Sequence, residues 1–353
     1  MRIFITGGSG YVGAMLVREL SKDPAVKAIL AMDKDEANPL YDGDYKVTFL
    51  KANTCESETW AAKVAVFAPT HVIHCAWQIR EMFGQQDVQW KWNIGGSDAV
   101  FDFAFSTPSV KKLIHFSTVA SYGAFSNNTI ERRFTEKDPF RPMGYLYADE
   151  KAVAEEHLEA KYAAAKNKAG HGGRVPQVFI IRPASITGPR GRYMRESFGL
   201  QSALSGKLKK GFAQRVVSAM VAVVPVTPKW CRQFVHEDDI ADAVKLFVSD
   251  KAQVSYEAFN LCPDGPVMRG KDMAKAVGKI SVTLPPAFIR FVFFVVRHVF
   301  MGKVPTSKGG WKTYSYPIVV DGSKISDMFG FVYTFGPQGA FTERRGRYME
   351  FVK

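Results

Sequence analysis

The 353-residue sequence predicts an α/β fold, a doubly wound parallel sheet followed by a smaller C-terminal lobe. Three observations carry that prediction. Apolar strand-like runs alternate with segments of helical character through the first half, the pattern of repeated strand–helix–strand crossovers. The first run ends in a glycine-rich turn that opens a helix. Past Arg182 the alternation breaks up, and glycine, proline and aromatic residues increase.

The elements follow in order. RIFIT at 2–6 reads as a strand, 7–13 as a tight turn and 14–21 as a helix, after which AILAMD forms a second strand ending on Asp33. VTFL, HVIHCA, KLIHFS and QVFIIRP are further strands. The longest predicted helix runs from Tyr147 to about 168, rich in Ala, Glu and Lys, and stops at Gly170. FVHEDDIADAVKLFV and the strand-like YEAFNLC return to the first domain. The expected organisation is therefore 1–184 with 231–262 as one domain, and 185–230 with 263–353 as a substrate-binding lobe.

Composition narrows the classes of function. Hydrophobic residues at 46% and charged residues at 23% fit neither a disordered chain nor a coiled coil. Cys55, Cys75, Cys231 and Cys262 include no CxxC pair, which argues against a disulfide framework and a structural zinc. The N-terminus MRIFITGG has the pattern of neither a signal peptide nor an anchor, so a cytoplasmic protein is expected. Lys plus Arg (47) less Asp plus Glu (34) leaves +13, which suits an anionic partner. The basic residues are spread, densest over Arg190, Arg192, Arg195, Lys207, Lys209, Lys210 and Arg215. Without an RNP-like aromatic pattern or a zinc finger, no nucleic-acid partner is expected.

The most apolar stretch, 284–301 (LPPAFIRFVFFVVRHVFM), is interrupted by Arg290, Arg297 and His298 and is not read as a transmembrane span. Arg290 and Arg297 share one helix face, so an amphipathic helix packed in the second lobe is expected. Peripheral membrane contact or a lipid-substrate role is the alternative.

The segment Gly7-Gly8-Ser9-Gly10-Tyr11-Val12-Gly13 follows a strand and opens a helix, the context in which such glycines hold a dinucleotide pyrophosphate at a helix N-terminus. Asp33 ends the next strand at the spacing of a carboxylate that grips adenosine ribose hydroxyls. The combination predicts a Rossmann-type domain that binds NAD. NADP is disfavoured because Asp33 repels a 2′-phosphate, although Lys34 beside it offsets part of that repulsion.

Two stretches satisfy YxxxK, Tyr147–Lys151 and Tyr162–Lys166. Fifteen residues of one helix separate them by about 22 Å, so they cannot serve one site. Tyr147 stands near the helix start, close to the carboxyl edge of the sheet where ligands bind in open α/β folds. Lys151, four residues on, shares its face and would favour the Tyr147 phenolate. Tyr147 is the candidate proton-transfer group, and Thr118, at the end of LIHFS, the candidate partner for the same substrate oxygen. Tyr145 has Asp149 where a lysine would be required. His236-Glu237-Asp238-Asp239 reads as an acidic helix start with Asp238 or Asp239 capping rather than as a metal site. His71 and His74 point to opposite faces of a strand, and no metal is expected.

These motifs resemble the extended short-chain dehydrogenase/reductase superfamily, which contains nucleotide-sugar epimerases and dehydratases and the 3β-hydroxysteroid dehydrogenases. TGGSGYVG is similar to its TGxxGxxG, FSTVASYG to its strand-end serine/threonine motif, and YADEK to YxxxK. Asn93 in KWNIGGSDAV, RPASITGPR and RQFVHEDDIADAV resemble further segments. The resemblance implies cofactor roles for Gly7, Gly10, Gly13, Asp33, Asn93, Lys151 and the backbone around Ala76, with Thr118 and Tyr147 catalytic. Asn53 stands where many relatives carry an adenine-contacting aspartate, and its amide can still bond the ring. Ser185 replaces the asparagine usual in nucleotide-sugar enzymes, Arg232 matches their diphosphate-contacting arginine, and their C-terminal R-x-G-D is missing. Three functions are weighed. The first is an epimerase or related enzyme acting on a nucleotide sugar, and the second a dehydrogenase of a hydrophobic secondary alcohol such as a steroid. The third, a non-catalytic dinucleotide sensor, is disfavoured by the retained tyrosine and lysine. A homodimer through the helices beginning near Asn93 and Tyr147 is also implied.

Overall fold

The computed structural model describes residues 1–170, 174–191, 223–301 and 306–349. Of the basic zone read from the sequence, Arg190 is described, whereas Arg192, Arg195, Lys207, Lys209, Lys210 and Arg215 lie outside the described residues.

The chain groups into two compact units. The first comprises 1–118, 150–182 and 241–259. Its sheet is built on β1 (Arg2–Thr6), β2 (Ala28–Asp33), β3 (Val47–Lys51), β4 (His71–His74), β5 (Lys112–Phe116), β6 (Gln177–Pro183) and β11 (Tyr256–Leu261). The order is β11-β6-β5-β4-β1-β2-β3, and every pairing from β3 to β6 is parallel. This is the Rossmann-type doubly wound order that the alternation predicted, with its switch point between β1 and β4. Each named run matches its strand to within two residues, because both faces of such a sheet are covered and its strands read as apolar runs.

Helices α1 (Tyr11–Ser21), α2 (Ser57–Phe67), α3 (Gln86–Trp90), α4 (Gly96–Ser106), α5 (Leu146–Ala169) and α6 (Glu237–Val248) supply the crossovers. Phe4, Trp60, Val72, Phe101 and Leu113 are fully buried in one core between sheet and helices. α5 ends at Gly170, whose φ of 63° takes the left-handed stop the sequence anticipated. Lys112 fixes the returning segment. Its buried Nζ donates to the carbonyls of Phe247 (2.9 Å), Ser249 (2.6 Å) and Ala252 (2.7 Å), a cation on carbonyls at the end of α6.

The second unit comprises 119–149, 183–240 and 260–353. It contains the short pairs β7 (Ser185–Thr187) with β10 (Phe234–His236), β8 (Val223–Val226) with β13 (Ile280–Thr283), and β9 (Cys231–Arg232) with β12 (Met268–Arg269). Helices α7 (Gly270–Ala276) and α8 (Pro286–Phe300) belong to it. Val224, Val226, Trp230, Phe234 and Met273 form its core. No helix among the described residues is long and apolar enough to cross a membrane.

Candidate active site

The glycine turn is shaped by close approach. Gly7 has φ +72°, and a Cβ there would stand 2.6 Å from the Ala76 nitrogen, so the loops after β1 and β4 touch backbone to backbone. A Cβ on Gly13 would meet the Gly7 carbonyl oxygen at 2.0 Å, which only glycine permits. Gly10 caps α1 without a side-chain bond, and Tyr11 and Val12 open its first turn. Together these form a cradle that a Cβ would fill and a helix N-terminus suited to an anion.

At the end of β2, the Asp33 carboxylate accepts the Ser9 amide at 3.0 Å and the Asp35 amide at 3.1 Å, which fixes it beside the turn. Lys34, beside Asp33, pairs with exposed Asp35 at 3.1 Å. Two residues that sequence reasoning missed fasten this loop, with Asn38 Nδ2 donating to the Ser9 carbonyl at 2.9 Å and Tyr41 Oη to the Gly8 carbonyl at 3.2 Å. Nothing marked them, since neither belongs to a motif. The Asn53 Oδ1 accepts the Cys55 amide at 3.3 Å and sets the turn into α2.

Lys151 is buried at 3% exposure. Its Nζ donates to the Phe116 carbonyl at 2.5 Å and lies 3.6 Å from the centre of the Trp77 ring. Burial pulls its pKa down to about 7, while Cys75, Glu155 and Glu150 act in the opposite direction. Trp77, next to Ala76, was not anticipated, because a lone tryptophan after a strand carries no sequence signal. Thr118 follows β5 two residues after Phe116 and is 6% exposed. The Asn93 amide is buried and occupied: Oδ1 accepts the Gln78 amide at 2.7 Å, and Nδ2 donates to Gln78 O at 3.0 Å and Glu150 Oε2 at 2.6 Å. Asn93 therefore ties the loop after β4 to α5, and it sits in a π-helical turn, Lys91–Gly95, just before α4. Burial pushes the Glu150 carboxyl up.

In the second unit, a 3₁₀ turn at Val119–Tyr122 and the start of α5 hold Tyr147. Ser121 Oγ donates to the Ala148 carbonyl at 2.8 Å, and Asp149 accepts the amides of Met143 (3.0 Å) and Gly144 (2.8 Å). The Tyr145 and Tyr147 ring centres are 5.7 Å apart. Burial, with Tyr147 and Tyr314 nearby, raises the Tyr145 phenol well above its ordinary range, against Arg232. The Arg232 guanidinium lies over the Tyr314 ring at 4.9 Å and the Trp230 ring at 5.7 Å. Ser185 is half-buried, and its amide donates to Gln233 O at 3.2 Å. The acids after His236 reach across this unit: Glu237 accepts the Arg190 and Gly191 amides, Asp238 the Arg347 amide and Asp239 the Thr334 amide.

A family model described as the NAD dependent epimerase/dehydratase family matches residues 3–262. Among curated proteins, the chain is 26% identical over 239 residues to an uncharacterized protein of Sinorhizobium fredii, covering 68% of this chain and 51% of the relative. It is 25% identical over 303 residues to a dTDP-D-glucose 4,6-dehydratase of Dictyostelium discoideum, covering 80% of this chain and 62% of that one. The chain thus spans about half to three fifths of the length of the curated relatives it matches. Among solved structures, Bordetella bronchiseptica WbmG in complex with NAD has a TM-score of 0.68 at 20% identity, covering 99% of this chain and 94% of that chain. The Thermus thermophilus UDP-glucose 4-epimerase complex with NAD has a TM-score of 0.65 at 21% identity, covering 97% of each chain. These likenesses show the fold.

Proposed function

The chain belongs to the NAD dependent epimerase/dehydratase family, and from that premise we propose that it moves hydride to and from a secondary alcohol of a nucleotide sugar. The observation that carries the reading is Lys151: buried, held on the Phe116 carbonyl beside Thr118, and one helical turn after Tyr147.

The glycine cradle and the Asp33 carboxylate suit NAD, the turn taking the pyrophosphate and Asp33 the adenosine ribose hydroxyls. Bound there, NAD supplies the nicotinamide that accepts or returns hydride. The chain's own residues manage the proton. Tyr147 exchanges it with the substrate hydroxyl, Thr118 hydrogen-bonds the same oxygen, and Lys151 stabilises the phenolate as a neighbouring cation. Asn93 and Glu150 position α5 and the loop after β4. Arg232, steadied by Tyr314 and Trp230, is the diphosphate contact, and Ser185 belongs to the substrate side. The names of several similar proteins, among them a UDP-glucose 4-epimerase and a dTDP-D-glucose 4,6-dehydratase, support the nucleotide-sugar reading.

The test is turnover of UDP- and dTDP-sugars against sterols, following NADH absorbance and product. A nucleotide sugar is converted without stoichiometric NADH release, and Arg232→Ala raises its KM roughly 10- to 150-fold by removing a charge-assisted phosphate contact. Stoichiometric NADH release from a hydrophobic alcohol, with every nucleotide sugar unaffected by Arg232→Ala, would replace this reading with the dehydrogenase.

A further inference from the structure

Helix α8 is apolar on both sides. Inward, Ile289 is buried and the Phe293 ring packs against Tyr314 at 5.5 Å. Outward, Phe291 is 61% exposed, Phe294 60% and Val299 64%, with Phe288, Val295 and Met301 exposed around them. At one residue per 100°, these side chains occupy an arc of about 160° that also holds exposed His298, its Nδ1 on the Phe294 carbonyl at 2.7 Å; a helix that merely covers a core would present charge across such an arc. Scattered exposed apolar residues are ordinary, but a continuous face is the mark of an interaction surface. The preceding strand β13 adds exposed Ile280 and Val282, with Val223 of β8 opposite Ile280.

Charge identifies what covers the face. From 273 to 320 the sequence has no Asp or Glu, while Lys275, Lys279, Arg290, Arg297, Lys303, Lys308 and Lys312 are all basic. Arg290 is exposed at the edge of the apolar arc, its guanidinium 5.7 Å from the Trp311 ring centre. A second copy docking face to face would set this acid-free stretch against itself, like charge on like charge. An anionic lipid surface matches both features at once: hydrocarbon for the phenylalanines, and headgroup phosphates for Arg290 at the edge of the arc in a stretch without acids. With 15 residues the helix is about 22 Å long, too short to cross and suited to lie in the interface. We propose that the outward face of α8 is an anchor that seats the protein on an anionic membrane surface.

The test is flotation of the full chain with phosphatidylcholine vesicles carrying about one third phosphatidylserine, against phosphatidylcholine alone, at low and high salt. The protein floats with the anionic vesicles and less with the neutral ones, and salt weakens the association. The double substitution F291S/F294S lowers partitioning about 10- to 100-fold while NAD binding and melting temperature stay at the wild-type values. F291W, which keeps an aromatic ring suited to the interface, retains binding. Wild-type protein that stays out of the anionic vesicle fraction overturns the proposal, as does F291S/F294S that floats like wild type. So does a dimer, seen by light scattering, that F291S/F294S converts to monomer, since the face would then join copies of this chain.

Discussion

The two ends of α5 carry the same five-residue pattern in different surroundings. At the first, Lys151 is withdrawn from water onto the Phe116 carbonyl and the face of Trp77. At the second, Lys166 is exposed to solvent, and Tyr162 packs its ring against Tyr256 at 4.9 Å and Phe105 at 6.1 Å. One tyrosine is placed at the helix start by Ser121 and Asp149, and the other is a packing residue. The motif is thus a statement about spacing on a helix, and the chemistry comes from what the helix is packed against.

The sharpest way to break this contrast is to remove each phenolic oxygen in turn. Tyr147→Phe is expected to cut turnover about 100-fold or more with NAD affinity retained, because only the proposed proton-transfer group is lost. Tyr162→Phe is expected to change turnover by no more than about twofold, its ring remaining in place. Steady-state kinetics with calorimetric NAD titration decides, and equal damage from both would dissolve the distinction.

A second approach uses pH. The folded-state pKa of Lys151 is about 7, below its ordinary 10.5. The unfolded chain therefore holds that proton more tightly than the folded one. The burial penalty is present in full below about pH 7 and fades as pH rises toward the unfolded value, so stability conferred at this site rises across that window. Its size is on the order of a few kcal/mol. Lys151→Met lacks the charge. Urea unfolding across that range should show wild type gaining on the variant as pH rises, and parallel curves would mean that Lys151 is not desolvated.

The smallest expected effect contrasts Lys151 with the other buried lysine of the first unit. Lys112 has three carbonyl acceptors, and burial lowers its pKa to about 8. Lys112→Met strands those carbonyls and is expected to cost about 1 to 3 kcal/mol of stability, read as a lower urea midpoint, with kcat unchanged in the surviving folded protein. A fall in kcat would join Lys112 to the catalytic set.

The sequence by itself determined the sheet and the cofactor turn. Apolar runs of strand length, glycines at 7, 10 and 13, and Asp33 at the next strand end are local signals, since backbone conformation and hydrophobic period are properties of neighbouring residues. It also favoured Lys151 over Lys166 from its place near the helix start, and marked 284–301 as an apolar helix interrupted by basic residues. Tertiary structure decided the rest, because burial and partnership depend on residues far apart in the chain. Trp77 meets Lys151 across 74 positions, so no window could reveal it. Asn38 and Tyr41 clasp a glycine turn about 30 residues earlier. Asn93, which the motif marked, joins Gln78 and Glu150 through its buried amide, and its spacing in the sequence does not show those partners. The acids after His236, read as an acidic helix start, stand in the first turn of α6 and also accept backbone amides of distant segments. The pattern at 284–301 read as an amphipathic helix, whereas the structure leaves apolar side chains on both sides of it, and which of them face solvent was set by the burial of Ile289 and the packing of Phe293 on Tyr314.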